Sequence, residues 1–459
     1  MIVDRVSTPG LAQVAYLVAD EAAAQAAVID PRRDIADYLA WAERHGVAIV
    51  AILETHVHAD FVSGARELAS ATGAPIYASR LGATAFPHIP LDDGDTIPIG
   101  ALTLRALWTP GHTPEHISYL LFDQTRGLDP IALFSGDVLF VGEIGRPDLL
   151  GPEAQQTLIE QLWETVSQRL AKLPDQVIVY PGHTAGSPCG KQIGAAPQTT
   201  IGRERAFNYA FQQPNQDAFV HAVMAGMPKP PAYYPFMKRV NKLGPELLAT
   251  LPTGKPLRVA DLAAERAADA LVIDARPAAD FAKDHIPGAI SIELGPNFAI
   301  WAGWLTPYER EVVLVLDDDA HYDAALTELR RIGIDSVAGY LAGGMTVWAA
   351  AGKPTETMET IEARELAWRR GGYTVLDVRD RAEYESGHIA GALHAFAGDL
   401  AQGAAAPANG SDRVAVICGA GFRSMVASSL LQRRGKHDVV NVGGGMAAWT
   451  AAGLPTSRN

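Results

Sequence analysis

Two stretches of this sequence repeat one another. Residues 271–295, LVIDARPAADFAKDHIPGAISIELG, run parallel to 374–398, TVLDVRDRAEYESGHIAGALHAFAG, and 343–354, GGMTVWAAAGKP, matches 444–455, GGMAAWTAAGLP. A spacing of about 100 residues is that of a duplicated domain and too long for a solenoid of short repeats. Each copy predicts a short apolar strand (Leu271–Ile273; Val375–Leu376) and then a second one (Val312–Leu316; Val414–Ile417). A helical pattern follows the second strand, Met425–Arg433 in the last copy, and Gly435 supplies the left-handed stop. Strands alternating with helices imply an α/β unit with a largely parallel sheet. The two copies are expected at 257–356 and 360–459.

The first half differs in kind. Short apolar strands at Val47–Leu53, Ile131–Phe134 and Val177–Tyr180 alternate with helical patterns at Ile35–His45, Gly64–Thr72 and Glu153–Lys172. Residues 227–245, MPKPPAYYPFMKRVNKLGP, carry prolines that disfavour regular structure, and they read as the tail of this domain and a linker. That places the first domain at 1–245, and three domains suit a chain of 459 residues.

Charge and cysteine content narrow the chemistry. With 52 acidic against 38 basic side chains, the formal charge of −14 repels phosphate backbones and anionic membrane surfaces, so neither nucleic acid nor membrane is an expected partner. Apolar stretches such as Val47–Leu53 fall far short of the roughly 20 residues of a membrane span. The opening Met1-Ile2-Val3-Asp4-Arg5 has no basic segment leading into an apolar one, so no secretion signal is expected. Only Cys189 and Cys418 carry thiols, which excludes a disulfide scaffold and fits a reducing, cytoplasmic compartment.

Four clusters of potential ligands each follow an apolar strand or extended segment. They are Thr55-His56-Val57-His58-Ala59-Asp60, Pro110-Gly111-His112-Thr113, Ser135-Gly136-Asp137 and Pro181-Gly182-His183-Thr184. In α/β folds the loops beyond the carboxyl ends of strands gather in one cleft, so the clusters are placed to converge. A lone histidine at a strand end is more often a hydrogen-bonded structural residue. Four clusters in order, three with glycine beside the ligand to allow a tight turn, point to a metal centre.

This motif series resembles that of the metallo-β-lactamase superfamily, over roughly residues 1–240. The resemblance implies an αββα sandwich and leaves two branches open, two-metal thioester hydrolases of the glyoxalase II type and one-iron persulfide dioxygenases. The hydrolase pattern is H-x-H-x-D-H, whereas here the sixth position is Phe61, which cannot ligate a cation. The dioxygenase pattern carries the ligand role to His56, His112 and Asp137. Two histidines and a carboxylate suit non-haem Fe(II), one per chain, although the same set also holds Zn²⁺. His58, Asp60 and His183 then either orient the ligands and move protons or make structural hydrogen bonds. Arg146, in GEIGRPD, resembles an arginine near the family's active site, where it pairs with a substrate carboxylate or holds the cleft's shape. The usual Thr-Asp after this arginine is Pro147-Asp148 here. Cys189 resembles a cysteine of the rhodanese-fused subgroup; it either relays sulfur, with Lys191 favouring its thiolate, or is a small buried side chain.

In the last domain a strand runs into Cys418-Gly419-Ala420-Gly421-Phe422-Arg423-Ser424 and then a helix. Backbone N–H groups of such a loop, with the helix N-terminus, form an anion-binding cup that stabilises a thiolate or persulfide. Arg423 adds positive charge for an anionic donor or acceptor. With Asp377-Val-Arg379, Glu383-Tyr384, Gly387-His388-Ile389 and Gly444-Gly445-Met446, this loop resembles a rhodanese domain with Cys418 as nucleophile. The middle copy keeps the frame, but aligning the loops puts Asp317 of Leu316-Asp317-Asp318-Asp319 where the cysteine belongs, so this copy is expected to be inactive.

Together these resemblances imply a persulfide dioxygenase and sulfurtransferase. Dioxygen and the persulfide of glutathione, coenzyme A or a similar thiol would give sulfite, and a Cys418 persulfide would convert sulfite into thiosulfate. A zinc thioester hydrolase with rhodanese appendages and a non-enzymatic sulfur carrier are the alternatives. A homo-oligomer is expected by analogy with the family alone.

Overall fold

The computed structural model describes residues 1–405 and 413–458. They form two compact units, one over Met1–Leu251 with Arg331–Gly333 and the other over the rest.

The first unit contains two six-stranded sheets. One is ordered β1 (Ile2–Thr8), β2 (Gln13–Asp20), β3 (Gln25–Ile29), β4 (Ala48–Leu53), β5 (Ile76–Ser79) and β6 (Ile89–Leu91). The other runs from β7 (Thr96–Ile99) through β8 (Leu102–Trp108), β9 (Ile117–Asp123), β10 (Ala132–Gly136) and β11 (Ile178–Pro181) to β12 (Thr199–Thr200). Alternation along the strands divides three cores. Val14, Tyr16 and Val18 of β2 face Tyr119, Leu121 and Phe134 between the sheets. Their neighbours Ala15, Leu17 and Ala19 pack on Tyr38, Trp41 and Leu68 of the helices Ala36–His45 and Ala65–Thr72. On the far side Leu120, Leu133 and Val179 meet Ile159 and Leu162 of the helix Pro152–Glu164. The result is helix, sheet, sheet, helix, with side chains interdigitating on every layer.

Two expectations for this half need correction. The helical pattern over Glu153–Lys172 does not run straight; it widens to a π turn over Thr165–Arg169 and ends in a 3₁₀ turn at Leu170–Lys172. Thr165 marks that change, donating its hydroxyl to the carbonyl of Pro110 in a ligand-bearing loop, 2.7 Å away. The proline-rich 227–245 contains a regular helix, Tyr234–Leu243. Its Pro235 lies in the first turn, where a missing N–H breaks no helical bond.

In the second unit the repeat becomes two five-stranded parallel sheets of the same order. The first is β13 (Lys255–Leu257), β17 (Val337–Leu341), β16 (Val312–Val315), β14 (Leu271–Asp274) and β15 (Ile290–Ser291). The second is β18 (Glu359–Glu362), β22 (Val439–Gly443), β21 (Arg413–Ile417), β19 (Tyr373–Asp377) and β20 (Leu393–His394). The repeated motif residues are scaffold in both. Arg276 forks onto Asp274 and Arg379 onto Asp377, while Trp348 and Trp449 each donate an indole N–H to the carbonyl six residues on.

Strand pairing corrects the loop alignment. Asp274 pairs with Val315 and Asp377 with Ile417, so the residue after the strand is Leu316 in one copy and Cys418 in the other. Leu316, not Asp317, holds the nucleophile's position, and an apolar side chain is buried there. The helix Phe298–Leu305 of the middle copy packs on the last copy. Trp304 lies 5.5 Å from the Phe396 ring, and Trp301 lies 6.4 Å from Phe422 in the thiol loop. Among the described residues no helix is long and apolar enough to cross a membrane.

Candidate metal centre and thiol loop

His56 follows β4, His112 follows β8, Asp137 follows β10 and His183 follows β11, so all four leave their sheets at strand ends. One ligand atom each from His56, His112 and Asp137 lies within 4.8 Å of the other two. Asp137 Oδ2 is 3.6 Å from His112 Nε2 and 3.9 Å from His56 Nε2. Asp137 Oδ2 and His56 Nε2 are buried and have no hydrogen-bond partner among the described residues. Buried polar atoms left this way call for an ion or another ligand, and two imidazoles with one carboxylate are a donor set for a divalent metal.

The surroundings orient these atoms. His112 Nδ1 is 2.9 Å from the carbonyl of Arg146, and His56 Nδ1 is 2.9 Å from Thr55 Oγ1, which donates to Asp30. Gly145 and Gly182 permit the close approach. A Cβ at Gly145 would lie 1.8 Å from the Asp137 carbonyl, and one at Gly182 would lie 2.7 Å from Asp137 Oδ1. Burial, then neighbouring positive charges, holds His56 well below the ordinary imidazole range. Burial also lowers His112. Both are therefore neutral and fit to ligate.

His183 is placed differently. Its Nδ1 is 2.8 Å from Asp137 Oδ1 and its Nε2 is 2.7 Å from Asp60 Oδ2. Against burial, those two carboxylates pull the imidazole well above its usual value. His58 turns away toward Asp30 Oδ1 at 3.2 Å and Glu54 Oε2 at 3.5 Å. Against burial, Asp30 and Glu54 push it up to about 9. Phe61 packs on that ring, 4.4 Å between centroids.

The candidate substrate residues around this centre all engage protein groups. Arg146 is fully buried and forks onto Asp148 at 2.7 and 2.8 Å, and it donates to the carbonyls of Pro188 and Pro228. Its guanidinium holds the loop's shape rather than facing a ligand. Lys191 donates to the carbonyls of Ala222 and Ala225 and lies over the Tyr209 ring, so its charge serves those groups and not Cys189. Burial, then Asp137 and Asp60, pushes the Cys189 thiol well above its ordinary value, which opposes a resting thiolate. Its sulfur is 3.7 Å from Tyr234 Oη, and it clusters with Asp60 and His183.

Three contributors carried no motif. His116 Nε2 accepts the Asp137 N–H at 3.0 Å, and burial pushes this imidazole down to about 3, keeping it an acceptor. Asn241 donates to the carbonyls of His58 and Phe61 and accepts the Ser63 N–H, tying the helix Tyr234–Leu243 to the first ligand loop. Lys238 lies between Tyr234 and Asn241 on the same helix.

In the second unit the Cys418 sulfur is 1% exposed at the residue level and accepts the Gly421 N–H at 3.1 Å. Gly421 adopts φ +106 as N-cap of the helix Phe422–Arg433, a conformation that favours glycine. Ser424 Oγ lies 3.5 Å from the sulfur and donates to the Gly421 carbonyl. Arg423 forks onto Glu383 at 2.6 and 2.7 Å. Gly419, Ala420 and Phe422 complete the loop.

The metallo-beta-lactamase superfamily model matches residues 8–183, and the rhodanese-like domain model matches 258–351 and 360–452. The chain is 37% identical over 169 residues to a hydroxyacylglutathione hydrolase of Pseudomonas entomophila, covering 37% of this chain and 60% of that protein. It is 33% identical over 171 residues to the mitochondrial persulfide dioxygenase ETHE1 of Homo sapiens, covering 37% of this chain and 62% of that one. The match thus spans about three fifths of these relatives' own length. A crystal structure of a metallo-beta-lactamase from Staphylococcus aureus is similar at 34% identity and TM-score 0.67, covering 74% of this chain and 98% of that one. These matches and the fold agree: the chain belongs to the metallo-β-lactamase superfamily, its N-terminal domain being followed by two rhodanese-like domains.

Proposed function

We propose that the chain is a one-iron persulfide dioxygenase carrying its own sulfurtransferase. The carrying observation is the clamping of His183 between Asp60 and Asp137, with His58 turned to Asp30 and Glu54. Those hydrogen bonds occupy ring nitrogens that a second metal would need. They favour His56, His112 and Asp137 as the ligand set over the other two clusters of potential ligands, Asp60 with His183 and Cys189, and Asp30 with Glu54 and His58. Iron held by these residues would supply the one-electron chemistry with dioxygen that amino-acid side chains lack.

The overall reaction converts a persulfide, dioxygen and water into thiol, sulfite and two protons. Around it, Arg146 and Asn241 hold the ligand loops, while His183 keeps Asp137 ionised and oriented. In the last domain, the Cys418 persulfide transfers its outer sulfur to sulfite. The S–S bond to Cys418 breaks, a new one forms in thiosulfate, and Cys418 leaves as the thiolate stabilised by the loop N–H groups. The middle copy, with Leu316 in the nucleophile's position, takes no part in transfer and packs on the thiol loop through Trp301.

Metal analysis of protein purified without air, with an oxygen electrode and glutathione persulfide, tests this reading. Roughly one iron per chain with rapid oxygen uptake is expected. A two-zinc centre that cleaves thioesters and consumes no oxygen overturns it in favour of the hydrolase.

A further inference from the structure

Tyr234, Lys238 and Asn241 are four and three residues apart on one helix, so they line a single face over two turns. Both outer members contact residues beside the ligand set. Tyr234 Oη is 3.7 Å from Cys189, and Asn241 donates to the carbonyl of His58 at 2.9 Å. Lys238 sits between them, and its ammonium nitrogen is shielded from water yet makes no hydrogen bond among the described residues. Its charge reaches the centre, contributing to the lowering of His56 and His112 behind burial, the main cause. Burial lowers Lys238 itself, while Glu115, Cys189 and Asp137 draw it the other way.

A shielded, unpaired ammonium is strongly unfavourable, and a ligand's negative charge would relieve it. We propose that Lys238 is the counter-ion for the anionic sulfur end of the substrate, the terminal sulfur of the persulfide entering and sulfite leaving. This rests on the dioxygenase reading. The place of Lys238 on one helix face between Tyr234, which meets Cys189, and Asn241, which meets the first ligand loop, favours the reacting sulfur over a carboxylate at the far end of the carrier thiol.

The test replaces Lys238 by methionine, which keeps the unbranched stem and removes the charge. Lys238→Met should raise KM for glutathione persulfide roughly tenfold or more while kcat stays within about threefold, with Lys238→Arg restoring most of the loss. The methionine variant should also melt at a higher temperature, because an unpaired buried charge is gone; a structural lysine would behave in the opposite way. Sodium sulfite, titrated calorimetrically without air into protein carrying Cys418→Ser, which removes the thiol that would exchange sulfur with sulfite, should bind roughly tenfold more weakly when Lys238→Met is added. Unchanged KM and unchanged sulfite affinity overturn the proposal, as does a lowered melting temperature with unchanged KM. If the parent consumes no oxygen but sulfite binding still depends on Lys238, the anion site stands and the dioxygenase reading falls.

Discussion

Nδ1 of His183 lies 2.8 Å from Oδ1 of Asp137, leaving Oδ2 of the same carboxylate buried and without a partner. One oxygen is thus fixed by a charged hydrogen bond and the other is free for a metal. Replacing His183 by glutamine keeps some hydrogen bonding but removes the charge. Metal affinity should fall by roughly 10- to 100-fold, read by competition with a chelator. Unaltered affinity would show that the clamp does not position Asp137.

His112 is proposed as a ligand, not an orienting group. His112→Ala should lose both bound iron and persulfide-dependent oxygen uptake. Retention of uptake would remove it from the set.

Cys418 should be dispensable for oxygen chemistry. Cys418→Ser is expected to consume oxygen with a persulfide at the parent rate and to form no thiosulfate, sulfite accumulating instead. An unchanged thiosulfate yield would break the proposed coupling.

The Arg423–Glu383 fork gives a pH signature. Burial raises the Glu383 carboxyl, but Arg423 and Asp380 outweigh it and hold the group down to about 2. A depressed folded-state value means the contribution to stability is present above the ordinary glutamate range, near 4.5, and is lost as pH falls toward 2. The Glu383 side chain is 35% exposed, so screening reduces the effect to about 1 kcal/mol. Glu383→Gln should therefore lower stability at pH 7 and make no difference near pH 2, as read by denaturant midpoints. A gap that widens on acidification would contradict the assignment.

Trp304 is 4% exposed and faces Phe396 of the last copy. Trp304→Ala should destabilise the second unit by about 3–5 kcal/mol without changing iron content, measured by denaturant unfolding and metal analysis. A change below about 1 kcal/mol would mean that the contact contributes little to holding the two copies together.

The ligand clusters were readable in the sequence because each is short and joins glycine to histidine or aspartate at a strand end. The duplication was readable because its motif residues recur at fixed offsets. Much of the sheet structure was not. β2 is buried along its whole length, so it lacks the alternation of apolar and polar residues that marks a half-exposed strand. Pro235 obscured a helix because proline's meaning depends on its place in the first turn. The row Asp317-Asp318-Asp319 drew the loop alignment one residue along, and only the pairing of Asp274 with Val315 corrected it.

The sequence by itself determined the fold families and the duplication, since ligand type, loop glycines and repetition are local properties of the chain. Tertiary structure decided which polar groups answer one another. It clamped His183 between two carboxylates, committed Arg146 and Lys191 to protein acceptors, and left Lys238 without one. Those outcomes depend on residues as far apart as His183 and Asp60, whose sequence separation is 123. Burial then sets their charge, because a low dielectric penalises whichever ion is left unpaired.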